Sequence, residues 1–99
     1  MDYHTVDMGE IKHRHNGHWF DPSTMRFFHS RLPQTGIMLA DGRALFVSSE
    51  RYSFDEYHPR TYSVRIQDTE GDVDTLGDFE GYPTRREATA AMLAYAKEQ

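Results

Sequence analysis

Three groups of residues in this 99-residue chain have types and spacings that chemistry can use. His13, His15 and His18 fall close together, and neutral imidazoles are common zinc ligands. Gly17 interrupts any helix between His15 and His18, and no Asp or Glu in the segment completes a tetrahedral set. The competing reading is a solvated helix end, where protonated histidine suits the helix dipole. No cofactor is expected.

The second group is Arg26-Phe27-Phe28-His29-Ser30-Arg31, joined by Arg43. Aromatic rings stack on bases and arginine contacts phosphate, so Arg26, Phe27, Arg31 and Arg43 are candidates for nucleic-acid contact. Against this, Phe28 reads as core, and Arg26 and Arg31 have Asp21 and Glu50 as possible carboxylate partners. A bidentate pair explains arginine rather than lysine.

The third group is Asp72, Asp74, Asp78 and Glu80, which alternate along one face of an expected strand. Such a stripe suits a basic partner. It also suits an outer sheet face that discourages edge pairing. The Arg51–Arg60 loop adds Tyr52 and Tyr57, beside His58, as exposed partner contacts. Asp68, Glu70, Asp72 and Asp74 do not follow an EF-hand pattern, because Gly71 is misplaced and no bidentate Glu follows. There is no cysteine, no Gly-x-Ser-x-Gly, no phosphate loop and no dinucleotide fingerprint. Ser30 and His29 point to opposite sides of a strand and make no nucleophile–base pair there. A non-enzymatic protein is therefore expected.

Composition narrows the class. The chain is 37% apolar and 13% aromatic, which is ordinary for a globular domain with a ring-rich core. Its length suits one domain spanning residues 1–99. The net charge of −5 is uneven. Residues 1–51 hold six Lys/Arg and six Asp/Glu, whereas residues 52–99 hold five and ten. An acidic chain is a poor non-specific binder of nucleic acid. The absence of cysteine fits a reducing cytoplasm. The acidic start Met1-Asp2-Tyr3-His4 does not read as a signal peptide, and no apolar run approaches the ~20 residues of a membrane span.

The elements that must position these groups follow from start, stop and alternation signals. Residues 1–6 read as disordered. Asp7-x-x-Glu10 has capping-box spacing, and Asn16-Gly17 is a stop, which predicts a helix over 8–15. Asp21-Pro22 starts a second short helix running to Phe28, followed by a strand near Ser30–Leu32. Pro33-Gln34-Thr35-Gly36 reads as a turn, and Asp41-Gly42 joins strands 37–40 and 43–49 as a hairpin. Residues 61–67 alternate with Tyr62, Val64 and Ile66 inward, leaving Arg65 on the outer face to pair with an acid of the strand 73–79. Thr84-x-x-Glu87 caps a helix over 85–97, with Ala88, Ala91, Met92 and Tyr95 on its buried side. The fold expected is α+β: short N-terminal helical segments, an antiparallel sheet of about four strands and a C-terminal helix on one face. The expected core is Trp19, Phe20, Phe28, Phe46, Val64, Ile66, Phe79, Met92 and Tyr95.

Four stretches stand out together: Gly17-His18-Trp19-Phe20-x-Pro22-x-Thr24-Met25-Arg26-Phe27-Phe28-x-Ser30-Arg31, then Ala44–Glu50, Arg60–Arg65 and the Thr84/Ala88 helix. In these the chain resembles a family of small uncharacterised proteins of tailed bacteriophages. The likeness covers roughly residues 10–96, and the Met-Arg-Phe-Phe-x-Ser-Arg block is its most specific part. Trp19 stands where Phe is usual in that family, and the His-rich lead-in is a further departure. The resemblance implies phage or prophage origin and the cytoplasm of the bacterial host, and brings no activity with it. The expectation is an accessory protein that binds a host or phage protein, with inhibition of a defence protein as one outcome. A nucleic-acid binder and a metal binder are the alternatives.

Overall fold

The computed structural model describes residues 2–27, 29–51 and 59–99. Its elements are β1 (Tyr3–Asp7), α1 (Met8–Arg14), α2 (Pro22–Phe27), β2 (Thr35–Leu39), β3 (Ala44–Glu50), β4 (Thr61–Gln67), β5 (Val73–Leu76) and α3 (Arg85–Lys97). The strands form one antiparallel sheet in the order β1-β2-β3-β4-β5. The α+β expectation holds, with five strands rather than four.

The extra strand is β1, where the sequence reads as disordered. Tyr3 to Asp7 pair in register with Leu39 to Thr35, which gives the first residues a full ladder. The strand is hard to see in the sequence because it is an edge, and only Val6 of its five side chains is buried. β2 likewise begins at Thr35, inside the expected turn.

β3 is the axis of the molecule, and all seven of its residues are buried. Its two faces meet different covers. On one, Leu45 and Val47 join Ile37, Leu39 and Val64 beneath Ala88, Met92 and Ala96 of α3. On the other, Ala44 and Phe46 join Val6, Met8 and Ile11, with Trp19 and Phe20 packed alongside. The C-terminal helix forms as its sequence predicts, and the Thr84 side chain accepts the Glu87 backbone N–H at 3.2 Å. At α1, Asp7 holds the N-cap position but makes no side-chain cap bond.

Three expected placements are corrected. Arg65 is not on an outer face: a sheet covered on both sides has none at β4, and the side chain is buried. β5 stops at Leu76 because Gly77 turns the chain with φ +81°, so Asp78 and Glu80 leave the strand face that holds Asp74. The same turn carries Phe79 out of the expected core, leaving it 40% exposed. Phe46, Val64 and Met92 are buried as expected, and Trp19, Phe20, Ile66 and Tyr95 are partly buried against the two cores. Phe28 lies outside the described residues, as do Tyr52, Tyr57 and His58. Near Ser30–Leu32 there is a single bridge, Arg31 with Ser49, rather than a strand.

A candidate binding cleft over a buried ion pair

The β3–β4 register sets Phe46 opposite Arg65 and Ser48 opposite Ser63. Alternation then puts Ser48, Glu50, Ser63 and Arg65 on the face away from α3. Arg65 and Glu50 form an ion pair at 2.8 Å, with their side chains 8% and 0% exposed. The rest of the network holds those two charges. Arg65 Nε donates to Ser48 Oγ at 2.9 Å, and a terminal guanidinium nitrogen donates to Thr75 Oγ1. Ser48 donates in turn to Glu50 Oε1, and Ser63 Oγ donates to Oε2 at 3.1 Å. The Glu80 backbone N–H closes the chain by donating to Ser63 Oγ at 2.8 Å.

The Arg65 guanidinium also sits between two aromatic faces, 5.1 Å from the Trp19 ring centroid and 5.2 Å from that of Phe79. Each contact contributes about 0.5–2 kcal/mol, the more so when the cation is desolvated. Trp19 is fixed from below by an edge-on contact with Phe46, whose centroid is 5.6 Å away, and by Phe20 at 4.8 Å. Its backbone N–H donates to His15 Nε2 at 3.1 Å. Phe79 is delivered by a bulge between two pairings with β4. Leu76 still pairs with Val64 and Tyr82 with Tyr62, and the residues between them swing away from the strand.

These residues line an open cleft of about 340 Å³: Trp19 and Phe79 are walls, Arg65 and Thr75 the floor, and Ser30 lies at the side. Ser30 is placed by the end of α2. His29 adopts φ +50°, its N–H bonds to the Arg26 carbonyl at 3.1 Å, and the Ser30 N–H bonds to the Met25 carbonyl at 2.8 Å. This 6→1 and 5→2 pattern around a left-handed residue is a Schellman motif. The chain then locks onto β3 through reciprocal Arg31–Ser49 backbone bonds of 2.8 and 3.0 Å.

Further arginines gather at this end of β3. Arg60 donates to the His29 and Ser49 carbonyls at 2.8 and 3.1 Å. Burial holds its guanidinium below the ordinary arginine value, and the charges of Arg31 and Arg51 push the same way. Arg60 also feels the charge of Glu50, the buried carboxylate that pairs with Arg65.

The groups singled out from the sequence are only partly brought together. Arg26, Phe27 and Arg31 are exposed and do not line the cleft, with Phe27 63% exposed. Arg43 is not with them. It precedes β3, whereas Arg31 bridges its far end, so about six residues at roughly 3.3 Å each separate the two levels. There Arg43 donates to Asp41 at 2.7 Å and to the Tyr95 hydroxyl at 2.8 Å. Asp21 serves His18 at 2.8 Å and Glu50 serves Arg65, so neither carboxylate is the partner expected for Arg26 or Arg31.

The three histidines diverge. His15 Nδ1 donates to the Gly71 carbonyl at 2.7 Å while Nε2 accepts from Trp19, which occupies both ring nitrogens in that tautomer. His13 is exposed and His18 turns to Asp21. The described residues contain no group of three or more His, Asp or Glu side chains able to hold a metal ion. Asp72 and Asp74 remain exposed at the β5 edge. Sequence reasoning missed Glu50, Ser48, Ser63 and Arg65 as a unit. The available signal was an arginine in a strand that otherwise reads as buried.

A family profile spans nearly the whole of this architecture, from β1 into α3. The chain belongs to a family of unknown function, DUF7447, whose model matches residues 4–93. No curated protein and no solved structure matches the chain. Among the described residues, no helix is long and apolar enough to cross a membrane.

Proposed function

We propose that this member of DUF7447 is a small accessory protein of phage or prophage origin that works by binding another protein in the bacterial cytoplasm. It carries out no reaction of its own. Inhibition of a host or defence protein is one outcome of such a contact. The origin rests on the resemblance of the 17–31, 44–50 and 60–65 segments to phage proteins. Those segments converge in space: the first supplies Trp19 and Ser30 to the cleft, the second Ser48 and Glu50, the third Ser63 and Arg65.

The observation that carries the reading is the Trp19–Arg65–Phe79 stack with Phe79 40% exposed at its rim. Aromatic and arginine side chains in a partly desolvated pocket are the residue types on which protein interfaces concentrate their binding energy. The hydroxyls of Ser48, Ser63 and Thr75 bond within the ion-pair network, and both Glu50 oxygens receive donors. That arrangement suits positioning rather than proton transfer.

The test is affinity purification from infected cells with three forms of the chain. Wild type is expected to recover a specific protein. The double variant Asp72→Lys/Asp74→Lys retains it, because those acids sit at the β5 edge, and Phe79→Ala loses it. Recovery of no specific protein by wild type, or equal recovery by Phe79→Ala, counts against the reading.

A further inference from the structure

We infer that the cleft over Arg65 is a receptor for one carboxylate of the partner protein. This rests on the binding-module reading and adds the chemistry of the contact.

The first argument is donor accounting. A guanidinium carries five N–H donors. Arg65 gives one each to Ser48, Thr75 and Glu50. One N–H on each terminal nitrogen is left without an acceptor among the described residues, and the side chain is nine-tenths buried on the floor of the cleft. A buried donor without an acceptor costs about 1–3 kcal/mol, more if charged. Charged N–H donors of this kind take carboxylate oxygens in strong, short hydrogen bonds. Ser30 on the cleft wall has a hydroxyl that can donate to the same anion.

The second argument is charge. Glu50 neutralises Arg65 within the pair, and Arg31 and Arg51 stand close enough to lower the Arg60 value. Arg60, held on the His29 carbonyl next to Ser30, thus has two further arginines in its field beside the pair, and such a group of cations favours an anion.

The third argument chooses the anion. Either anion meets Glu50 across the same guanidinium, but a carboxylate brings one negative charge and phosphate nearly two, so both the repulsion from Glu50 and the cost of desolvation are smaller for the carboxylate. Trp19 and Phe79 make the walls apolar apart from Arg65, Thr75 and Ser30. A buried ion pair by itself is weak evidence of stabilisation, since desolvation costs several kcal/mol per ion. A guanidinium held rigid by Glu50 and two rings is instead preorganised to receive a second carboxylate without further ordering.

Trp19 is the only tryptophan of the chain and lines the cleft, so its fluorescence reports on this site. Full-length wild type is titrated with N-acetylglutamyl amide, with N-acetylglycine and with inorganic phosphate, all at matched ionic strength. The two carboxylates distinguish a side-chain source from a chain terminus. At least one is expected to give a saturable change in the millimolar range, and phosphate a weaker one. Ser30→Glu places a carboxylate in cis at the cleft wall and is expected to abolish the titration while the protein remains folded. Phe79→Ala is expected to weaken binding about tenfold. No saturable change with either carboxylate, a stronger response to phosphate, or an undiminished response in Ser30→Glu overturns the inference. Partner capture separates the two levels. If Ser30→Glu still captures the partner, the carboxylate contact is wrong and the binding module stands. If wild type captures nothing in infected cells but the cleft titrates, the module reading falls and the site remains.

Discussion

Arg65 and Glu50 face each other at 2.8 Å from adjacent strands, both nearly inaccessible to water, and Ser48 and Ser63 also donate to the carboxylate. The pair is fixed by register. Arg65 lies opposite Phe46, and Glu50 lies four residues along on the same face. The arginine reaches along the strand and the glutamate completes it. Two strands thus present a single guanidinium, immobilised on three sides, to the space between Trp19 and Phe79.

Breaking one side of this pair leaves a buried charge with no counter-charge. Arg65→Met and Glu50→Gln are each expected to destabilise the fold, Arg65→Met by about 3–5 kcal/mol and Glu50→Gln by less, because glutamine keeps an acceptor for Arg65. The double variant Arg65→Met/Glu50→Gln is expected to lose less than the sum. Urea denaturation of the four proteins gives the coupling energy directly. Additive losses would show that the two side chains are not energetically linked.

His15 ties three segments together. It donates to the Gly71 carbonyl at 2.7 Å, accepts the Trp19 N–H at 3.1 Å and meets the Phe20 ring edge-on at 4.8 Å. Gly71 is required on its side: its φ is +95°, and a Cβ there would overlap the Arg14 carbonyl and lie 2.9 Å from the Asn16 nitrogen. Gly71→Ala is expected to cost at least about 1–2 kcal/mol from the left-handed backbone alone. His15→Ala is expected to cost about 1–3 kcal/mol through the orphaned Trp19 N–H. It should also shift Trp19 emission, because the Trp19 backbone loses its anchor and Phe20, which packs edge-on against the indole, loses its contact with His15. Thermal melts followed by tryptophan fluorescence read both effects.

The β2–β3 hairpin gives a pH dependence. The Arg43 backbone N–H, donating to Asp41 at 3.1 Å, holds the Asp41 carboxyl below its ordinary 3.8, and the Arg43 side chain helps. A lowered folded value means the contribution is present at neutral pH. It fades as the pH falls through the folded value, because protonation then favours the unfolded chain. Asp41→Asn keeps the acceptor and removes the charge. It is expected to melt slightly below wild type at neutral pH and level with it once the pH is below the carboxylate range. Paired melts across that range test the sign, and a gap that widens on acidification contradicts it.

Local signals made much of this fold legible. The Thr84 cap, the alternation of β4 and the Asp41-Gly42 hairpin are each written in adjacent residues, and each element formed where expected. β1 was not legible because an edge strand with one buried side chain has no pattern to read. The ion pair was hidden for a different reason. Ser48-Ser49-Glu50 looks like a strand running out into solvent, whereas pairing with β4 and the Arg65 side chain beneath Trp19 help bury it. Phe79 misled because parity along β5 places it with Val73 and Thr75, whereas Gly77 ends the strand first. The site was thus readable as residue types but not as a constellation, since its members come from five segments joined by non-local pairing.

The two phenylalanines on the same side of the sheet separate scaffold from contact surface. Phe46 is fully buried beneath Trp19 and Phe20, and its truncation to Ala is expected to cost about 3–5 kcal/mol. Phe79 is 40% exposed and leans on Arg65 at 5.2 Å, so Phe79→Ala should cost less, about 1–2 kcal/mol. The functional order is the reverse. A Phe46→Leu variant that keeps the core filled should still capture the partner, whereas Phe79→Ala, still folded, should not. Denaturation and partner capture on the same two proteins decide the matter. If capture follows stability instead of Phe79, the contact surface lies elsewhere on the molecule, because a side chain that matters only through packing cannot fail in one assay and pass the other.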